Sequence, residues 1–514
     1  MKFTKAPEIT AAPNAAAPLT GVVTCETDEP TTVEIDIDDG RSSRTVSFDG
    51  APASAHSCPV LGLRPGTAYR ISVRARNASG TVIEGPDRLA LDTPALPEDF
   101  PPIEVVSCTP DKREPGYMLF GASYGAMMQV PEKHAFIIAL DQQGEVVWYY
   151  RGDDPVFDIR QLANGNLAYA TNSGKLIEID MLGSVHHVWH GTGKNKEVPG
   201  GTPVATEALH HAFCPMASGN ILMLSIEQLE YDDWPGSDRD PDAPRAPAKV
   251  IGDTVVEFQP DGTVVSEWRL SELLDPERIC YGSYMPFWVR KGYKDTYDWS
   301  HANGVTYDAA DDAILVSVRH QDAVIKFSRA TGELIWILGD HGNWKAPWSD
   351  KLLRPADGLE WQYHQHNVSL TGNGGVMVFD NGSFRAVPFN KPRSAPENYS
   401  RAVEFGVDQA NMSVAQSWAF DAGRDNGYYS TFVGGATRLP RTGNTYITFG
   451  GVTYEDDGTP ADNNQIHRIK ARHVEVTPGG AGEKVLELLI EDRSETDAIR
   501  WFSFRGEHVE SLYG

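Results

Sequence analysis

Segments in which apolar and polar residues alternate run along the first part of the chain. GVVTCET, TTVEIDID and AYRISVRARN are three of them, and all lie between Leu19 and Thr93. Alternation with a period of two is typical of strands that bury one face of a sheet. The pattern predicts an N-terminal β-sandwich over residues 18–93. The Ala/Pro-rich residues 1–17 are predicted to be a flexible arm, and the proline-rich residues 94–104 a linker.

A longer unit recurs beyond the linker. One strand leads into a turn marked by Gly or Asp, and a second strand ends near an aromatic residue. Five copies end in a tryptophan, at Trp148, Trp189, Trp268, Trp336 and Trp418. A sixth copy has Leu488 instead, and turn-strand hairpins such as SGNILMLS and NGGVMVFD lie between the copies. Six units of four strands predict a six-bladed β-propeller over residues 105–514, so the fold class is all-β.

The repeat also predicts how the propeller closes. The C-terminal WFSFRGEHV, which starts at Trp501, is expected to pair beside GYMLFGASYG, which starts at Gly116. A pair of stacked β-sandwiches is the alternative architecture, but it accounts less well for similar hairpins in one register. Two insertions, over residues 229–249 and 270–299, do not fit the unit, and loops on a rigid scaffold often carry function.

Composition narrows the classes of function. The 45 basic and 71 acidic side chains give a net charge of −26, the wrong sign for binding a nucleic-acid backbone. No apolar stretch is long enough to predict a membrane span. The start shows no signal peptide, which predicts a cytoplasmic protein, or a periplasmic or secreted one if a signal was removed. Cys25 and Cys58 are predicted to be buried free thiols, with a disulfide as the alternative in an exported protein.

Histidines at equivalent points of the repeat are candidates for chemistry. His211 and His366 each precede the glycine of the following turn by eight residues. Equal phase predicts that both lie at the same height on innermost strands and face the central channel. His301 is expected opposite Arg319 on the neighbouring strand. Asn303, two residues beyond His301, is expected on the same face.

This predicted patch combines an arginine with neutral imidazoles and an amide. A guanidinium fork suits a tetrahedral oxyanion, so the patch suits a sulfate or phosphate ester. In the alternatives, each histidine is satisfied separately, or His211, His301 and His366 bind zinc, which the arginine would oppose. The chain has no GxxxxGK[ST] loop, no GxGxxG that opens a helix and no GxSxG elbow. We predict neither a metal nor any other cofactor.

Four longer segments resemble the bacterial arylsulfate sulfotransferases. They are HHAFCPMASGNILML, DWSHANGVTYDAADDAILVSVRHQDAVIKF, QHNVSLTGNGGVMVFDNG and SRAVEFGVDQANMSVAQSWAF. The resemblance covers residues 105–514, while residues 61–80 resemble the fibronectin type III signature. It implies a six-bladed propeller behind an N-terminal sandwich. It also implies sulfuryl transfer from one phenol ester to another phenol, without a nucleotide sulfate donor.

The resemblance further implies roles for single residues. His366, in QHNVSL, matches the nucleophilic histidine that is transiently sulfated. The positions that match substrate contacts are His301, Asn303, Arg319, Thr431 and one of the pair His210 and His211. The phase of the repeat favours His211 within that pair.

Together these roles predict a ping-pong reaction through a sulfohistidine. A ring nitrogen of His366 attacks sulfur and a phenol leaves, while Arg319, Asn303 and His211 hold the sulfuryl oxygens. His301 is expected to donate a proton to the departing oxygen.

Further expectations concern the surroundings of the site and the partners. Asp380 is expected to orient the ring of His366, and the aromatic loop 284–288 to form a wall against the aryl group. The partners expected are an aryl sulfate, a phenolic acceptor and a second copy bound through the N-terminal domain. Two rival functions remain: a hydrolase or lyase acting on sulfated or other anionic polysaccharide, and a non-catalytic propeller that binds anions or proteins.

Overall fold

The computed structural model describes residues 1–86, 88–125, 135–194, 198–424, 426–493 and 500–514. This part of the chain is nearly all β. Its α-helices are two single turns, α1 (Leu270–Leu273) and α2 (Phe287–Arg290). Its 3-10 turns are Pro110–Lys112, Arg319–Gln321, Trp348–Lys351, Ala395–Glu397, Ala422–Arg424 and Asn426–Tyr428. None of the helices described here has the length and apolar character needed to cross a bilayer.

The first six strands form one antiparallel sheet. They are β1 (Phe3–Ala11), β2 (Gly21–Asp38), β3 (Ser43–Val60), β4 (Ala68–Asn77), β5 (Val82–Glu84) and β6 (Leu89–Asp92). The first half of β2 pairs with β1 and β3, and its second half pairs with β3 and β4. Alternate residues of β2, among them Val23, Val33 and Ile35, are buried as the period of two requires.

Two details of this sheet bear on the expectations from sequence. Residues 3–11, expected to be part of a flexible arm, form β1 and pair with β2. Only Phe3 and Ile9 of this strand pack against the core of the sheet, and the strand is also held through backbone hydrogen bonds, which an apolar pattern does not reveal. Cys25 and Cys58 are buried free thiols, as predicted. Burial raises the pKa of Cys25 to about 11 and that of Cys58 to about 12.

After β7 (Ile103–Cys108), the described strands build six further sheets. The first contains β8 (Tyr117–Tyr124), β9 (Ala135–Leu140) and β10 (Val146–Gly152). The second contains β11 (Val156–Gln161), β12 (Leu167–Thr171), β13 (Lys175–Ile179), β14 (Val185–Gly191) and β15 (Thr202–Val204). The third contains β16 (His210–Pro215), β17 (Ile221–Trp234), β18 (Ala246–Phe258), β19 (Val264–Arg269) and β20 (Thr296–Asp298).

The remaining sheets follow the same antiparallel order. The fourth contains β21 (Ala302–Asp308), β22 (Ala313–Val318), β23 (Ala323–Ser328) and β24 (Leu334–Gly339). The fifth contains β25 (Arg354–Pro355), β26 (His366–Leu370), β27 (Val376–Asp380), β28 (Arg401–Asp408) and β29 (Ser413–Phe420). The sixth contains β30 (Gly435–Arg438), β31 (Thr445–Tyr454), β32 (Arg468–Val476) and β33 (Lys484–Ile490), with β7 on its outer edge. The short strands β15, β20 and β25 are added in parallel.

The C-terminal segment completes the first sheet. Its strands β34 (Trp501–Phe502) and β35 (Gly506–Val509) pair with β8, with Trp501 opposite Tyr124 and Gly506 opposite Phe120. This confirms the pairing predicted for the two segments. The first strands of successive sheets contact one another, from β11 through β16, β21 and β26 to β30.

The recurring tryptophans lock neighbouring sheets together. Trp148 donates its indole N–H to the carbonyl of Met181 in a turn of the second sheet, at 2.8 Å. Trp189 likewise reaches Pro260 O in a turn of the third sheet, at 2.8 Å. Trp336 donates in the same way to Gln409 Oε1 in a turn of the fifth sheet, at 3.1 Å, because a buried indole needs a hydrogen-bond acceptor. At three of the five tryptophans, the repeat in the sequence therefore reflects a repeated contact between sheets.

An arginine ties the N-terminal sheet to the first of the six sheets. Arg64 Nη1 donates to Asp39 within its own sheet, and Nη2 donates to Asp141 beyond β9, both at 2.8 Å. The same guanidinium also pairs with Glu145. Because these contacts leave the guanidinium only partly exposed, they contribute more to stability than an isolated surface ion pair would.

Candidate active site

The first strands of the third, fourth and fifth sheets border one cavity of about 380 Å³. Most of the residues predicted to form a site line it, namely His211, His301, Arg319, His366 and Thr431. His210 and Asn303 do not line it. The structure therefore brings together residues that lie far apart in the sequence and separates two that were expected to join them.

Irregular pairing aims the imidazoles into this cavity. The register shifts near the start of β16, β21 and β26, where a regular ladder would alternate strictly. His211 has φ of 52° and His301 has φ of 48°, values that are uncommon outside glycine. Bulges of this kind redirect side chains. The two histidines face the cavity because the backbone departs from ideal strand geometry beside them.

The same irregularity occurs beside Asn303. Arg319 N donates to His301 O at 3.3 Å, so these two residues are opposite each other as predicted. A register shift lies between Ala302 and Gly304, at Asn303. The Nδ2 of Asn303 donates to Gln365 O at 2.9 Å, and the substrate contact expected of this residue stays a prediction.

His366 is held in one tautomer by neighbours on both sides. Asn381 Nδ2 donates to Ser430 O and Val433 O, so its Oδ1 must face His366. His366 Nδ1 donates to that oxygen at 2.7 Å. Val433 N donates to Nε2 at 3.2 Å, so Nε2 carries the lone pair. Burial first, and then the charge of Arg319, hold the pKa of His366 well below its ordinary value, and the ring stays a neutral nucleophile.

Asp380 does not orient this ring, contrary to the prediction. Its carboxylate accepts hydrogen bonds from Arg401 Nε at 2.8 Å and Tyr363 N at 2.9 Å. It also lies 3.0 Å from Arg385 Nη1. The adjacent Asn381 takes the place expected for Asp380, because side chains of consecutive residues leave opposite faces of the chain here.

Arg319 brings an uncompensated positive charge to the cavity. Its side chain is only 7% exposed, and among the described residues no carboxylate lies within ion-pair distance of it. Nη1 donates instead to His320 Nε2 at 2.5 Å. His320 Nδ1 donates to Asp298 O at 2.7 Å, which fixes its tautomer. A buried cation without an acidic partner is costly, so this geometry points to an anionic ligand.

His301 has a partner that the sequence argument did not anticipate. Its Nδ1 lies 2.6 Å from Asp298 Oδ2, and Asp298 is buried at the end of β20. The ring also stacks on His320 with centroids 4.8 Å apart. The one signal in the sequence was the spacing of three residues in DWSH, which is too common to single out.

The pair His210 and His211 divides between the cavity and its support. Their Nδ1 atoms lie 2.7 Å apart, and His210 Nε2 lies 2.9 Å from Ser225 O. His210 Nε2 is also 3.2 Å from Asp253. Both nitrogens of His210 are thus engaged, and His211 lines the cavity as the phase of the repeat predicted.

Aromatic side chains form the walls. Phe287, Phe384 and Phe432 line the cavity, which confirms the prediction that the loop 284–288 supplies part of the wall. Phe504, from the C-terminal segment, packs beneath two histidines, with its centroid 5.8 Å from His211 and 6.2 Å from His366. Flat apolar surfaces beside a polar end suit an aromatic ligand with one charged group.

The polar end does not favour a metal ion. His301 Nδ1 and His366 Nδ1 are already hydrogen-bonded to Asp298 and Asn381. The guanidinium of Arg319 lines the same space and would repel a dication. We therefore assign this end of the cavity to an oxyanion.

Comparisons with known proteins agree with this chemistry. A family model described as Arylsulfotransferase (ASST) matches residues 108–499, and one described as Arylsulfotransferase Ig-like domain matches residues 8–88. The chain is 26% identical over 395 residues to the arylsulfate sulfotransferase AssT of Escherichia coli O6:H1, an alignment that covers 66% of this chain and 62% of that protein. The AssT of Lelliottia amnigena is 26% identical over 349 residues, covering 57% of this chain and 54% of that protein. The chain thus spans less than two thirds of the length of either relative.

Solved structures offer only distant likenesses. A putative 6-phosphogluconolactonase from Bacteroides uniformis aligns with a TM-score of 0.32 and 11% identity, over 76% of this chain and 99% of that chain. A luciferin-regenerating enzyme aligns with a TM-score of 0.34 and 9% identity, over 77% of this chain and 96% of that chain. Scores at this level bear on neither fold nor function.

Proposed function

The chain belongs to the arylsulfotransferase family, and from this premise we propose that it transfers a sulfuryl group from an aryl sulfate to a phenol. The observation that carries the proposal is the buried guanidinium of Arg319, which has no acidic partner among the described residues and shares its cavity with His366. A sulfate ester supplies the missing negative charge. The aromatic walls suit its aryl group, and the lone pair on His366 Nε2 suits attack on sulfur.

We also propose that residues 105–514 form a six-bladed propeller and that the N-terminal strands, which begin with β1 rather than at residue 18, form a separate sandwich. Contacts between the first strands of successive sheets support this, as do the tryptophan locks and the C-terminal strands added to the first sheet. A propeller of this kind gathers its innermost strands around one axis. That arrangement accounts for a cavity built from three different sheets.

In the donor half-reaction, the lone pair of His366 Nε2 leaves its hydrogen bond with Val433 N and attacks the sulfur of the bound ester. The N–S bond forms, the bond between sulfur and the aryl oxygen breaks, and the aryl oxygen leaves with the electron pair. Arg319 holds the sulfuryl oxygens, with His211 and Thr431 beside them. Sulfuryl transfer resembles phosphoryl transfer in its loose transition state, so positioning and charge stabilisation supply most of the catalysis.

In the acceptor half-reaction, a phenol oxygen attacks the sulfur of the sulfohistidine. The O–S bond forms, the N–S bond breaks, and His366 regains its lone pair. The guanidinium of Arg505 fills the space beneath the cavity, where it donates to Asn367 Oδ1 at 2.6 Å and to Asn303 O at 2.7 Å. Donor and acceptor must then use the same side of the cavity in turn. This supports a ping-pong order with a covalent intermediate.

The test is His366→Asn, with His473→Asn as the matched control. His473 is a fully buried histidine in the sixth sheet, and its Nδ1 is hydrogen-bonded to Tyr446 at 2.8 Å. Each protein is incubated with 4-nitrophenyl sulfate, with and without an added phenol. We expect the wild type and the control to transfer sulfate to the phenol and to carry one sulfuryl group in intact-mass spectra, whereas His366→Asn does neither.

Three results would overturn the proposal. Sulfate transfer by His366→Asn would remove the nucleophile from its role. Release of inorganic sulfate or unsaturated sugar at a rate independent of the phenol would favour the rival hydrolase or lyase. If the wild type bound aryl sulfates without turnover, the rival function of a non-catalytic propeller that binds anions would be favoured.

We further propose that two copies pair through the N-terminal sheet. Strand β3 pairs only with β2 among the described strands, and its residues 43–55 are largely exposed. A long exposed edge strand is a template for pairing with another chain. Light scattering should give the mass of a dimer, and a monomer at all concentrations tested would end this proposal.

A further inference from the structure

Asp298 and His301 form a buried pair beside the reacting end of the cavity. We propose that this pair stores one proton, which His301 gives to the leaving phenol in the donor half-reaction and takes back from the acceptor phenol. The inference rests on the proposed sulfuryl transfer. It adds Asp298, which lies beside His301 at the wall of the same cavity, as a positioning residue that acts through His301.

The geometry isolates the carboxyl group of Asp298 with a defined set of partners. Its side chain is 1% exposed. Oδ1 accepts a hydrogen bond from Trp288 Nε1 at 3.0 Å, and Oδ2 lies 2.6 Å from His301 Nδ1. His320 Nδ1 donates to the backbone carbonyl of Asp298 at 2.7 Å and lies 3.8 Å from Oδ2. The short contact with His301 Nδ1 is therefore the route by which a proton passes between this carboxyl group and an imidazole.

The surrounding charges decide which member of the pair holds the proton. Burial raises the pKa of Asp298 to about 7, although His320 and Arg319 favour its charged form. Burial and the guanidinium of Arg319 hold the pKa of His301 well below its ordinary value. The other ionisable groups that act on the pair are Asp253, His210 and His364. An imidazolium beside Arg319 is therefore disfavoured, and below about pH 7 the proton rests on Asp298.

This arrangement fixes the direction of both proton transfers. With Asp298 protonated, its O–H donates to His301 Nδ1, and Nε2 carries a hydrogen that faces the cavity. As the S–O bond breaks, the Nε2 proton moves to the leaving oxygen, and the proton of Asp298 moves to Nδ1. No imidazolium forms. The acceptor phenol later returns a proton to Nε2 as its oxygen binds sulfur, and Nδ1 returns its proton to Asp298.

The cycle closes only when donor and acceptor are both hydroxyl compounds. Each donor turnover removes one proton from the pair, and each acceptor turnover restores one. The stored proton therefore links the two half-reactions without exchange of protons with solvent. A carboxylate that merely oriented the ring would not do this, because it would stay ionised throughout.

The test compares leaving groups in Asp298→Asn. Asparagine keeps the size of aspartate and can donate a hydrogen bond to His301 Nδ1, but it cannot release a proton. We measure kcat/KM for phenyl sulfate, whose phenolate is strongly basic, and for 4-nitrophenyl sulfate, whose phenolate is weakly basic. General acid catalysis is typically worth about 100-fold or more. We expect a loss of about that size for phenyl sulfate and a loss of only a few-fold for 4-nitrophenyl sulfate.

The pH dependence gives a second, independent readout. The donor half-reaction needs protonated Asp298, so wild-type kcat/KM for phenyl sulfate should fall as pH rises through about 7. The acceptor half-reaction needs the ionised carboxylate, so kcat/KM for the phenol should rise over the same range. In Asp298→Asn, both of these pH dependences of kcat/KM should disappear.

Asp322→Asn is the matched control. Asp322 is also a buried aspartate beside a histidine, His364, but neither residue lines the cavity. It should leave the ratio between the two leaving groups unchanged. Equal losses for both aryl sulfates in Asp298→Asn, or no loss at all, would overturn the inference while transfer by the wild type stood. Absence of transfer by the wild type would instead refute the proposed function.

Discussion

Replacing Arg319 by methionine should make the protein slower and more stable at the same time. Methionine preserves much of the length of the side chain while it removes the charge and every donor. One guanidinium N–H of Arg319 is used by His320, and the remaining ones are available for sulfuryl oxygens. Removing a single donor of this kind costs about 3–4 kcal/mol of barrier. We therefore expect kcat/KM for an aryl sulfate to fall about 100- to 1000-fold.

The expected gain in stability follows from the same burial. Arg319 is desolvated and has no carboxylate within ion-pair distance among the described residues, so burial outweighs the more distant charges of Asp298 and Asp322 and lowers its pKa. Replacing buried charges by apolar groups of similar volume is often stabilising by about 1–4 kcal/mol. The loss of the hydrogen bond to His320 takes back about 1 kcal/mol. The free energy of unfolding should then rise by up to about 3 kcal/mol in Arg319→Met.

Arg113→Met provides the contrast. Arg113 is as deeply buried, but its Nε donates to Glu475 Oε2 at 3.2 Å, and both side chains are 1% exposed. Removing it leaves a buried carboxylate without its cation, which costs about 3–5 kcal/mol. Urea unfolding gives the free energy of unfolding of both variants, and steady-state kinetics gives their kcat/KM. Transfer at the wild-type rate by Arg319→Met, or destabilisation as large as that of Arg113→Met, would refute the reasoning.

Three further changes give distinct readouts. Asn381→Ala leaves His366 Nδ1 without its acceptor, and an unpaired buried donor costs about 1–3 kcal/mol. We therefore expect kcat to fall about tenfold to a hundredfold with KM little changed, and an unchanged kcat would contradict the role of Asn381. Phe287→Ala removes part of the aromatic wall and should raise KM for aryl sulfates about tenfold while kcat for bound ester stays within a few-fold; an equal loss in kcat would show that the ring acts on chemistry instead. Arg64→Ala cuts the ion pairs to Asp141 and should separate calorimetric unfolding of the N-terminal sheet from that of the remaining chain, whereas a single transition at the wild-type temperature would mean that the linkage contributes nothing.

The sequence predicted the sheets well because their signals are local and repeated. Alternation marks strands one at a time, and the recurring tryptophans mark contacts from one sheet to a turn of the next. The C-terminal pairing of Trp501 with Tyr124 could be predicted because one strand was missing from the first unit. Strand β1 escaped the argument, because its pairing rests on backbone groups that every sequence possesses.

The site was predictable only as far as its strands are regular. Equal phase found His211 and His366, and simple pairing arithmetic found Arg319 opposite His301. The register shift beside His301 was not foreseen, and the contact expected of Asn303 stays a prediction. Bulges depend on the partner strand and on neighbouring sheets, so a single sequence gives little warning of them.

The residues that sequence reasoning missed are those that support the reacting groups. Asn381 fixes the tautomer of His366, His320 holds the guanidinium of Arg319, and Asp298 holds His301. Each makes its contact through a single atom at the far end of a side chain. Motif spacing cannot report such contacts, whereas it does report which strand a residue occupies.

The electrostatics of the cavity explain why its histidines must be neutral. The protein carries a net charge of −26, so an anionic ester approaches against a repulsive field and needs a local cation. Burial keeps the pKa of His211, His301 and His366 well below the ordinary value, so these side chains are neutral. Arg319 is then the buried positive charge at the polar end. A sulfate ester carries one negative charge and matches that guanidinium, whereas a phosphate monoester with two would leave one uncompensated in a desolvated site. The same neutrality leaves His366 with its lone pair, so the features that select the anion also preserve the nucleophile.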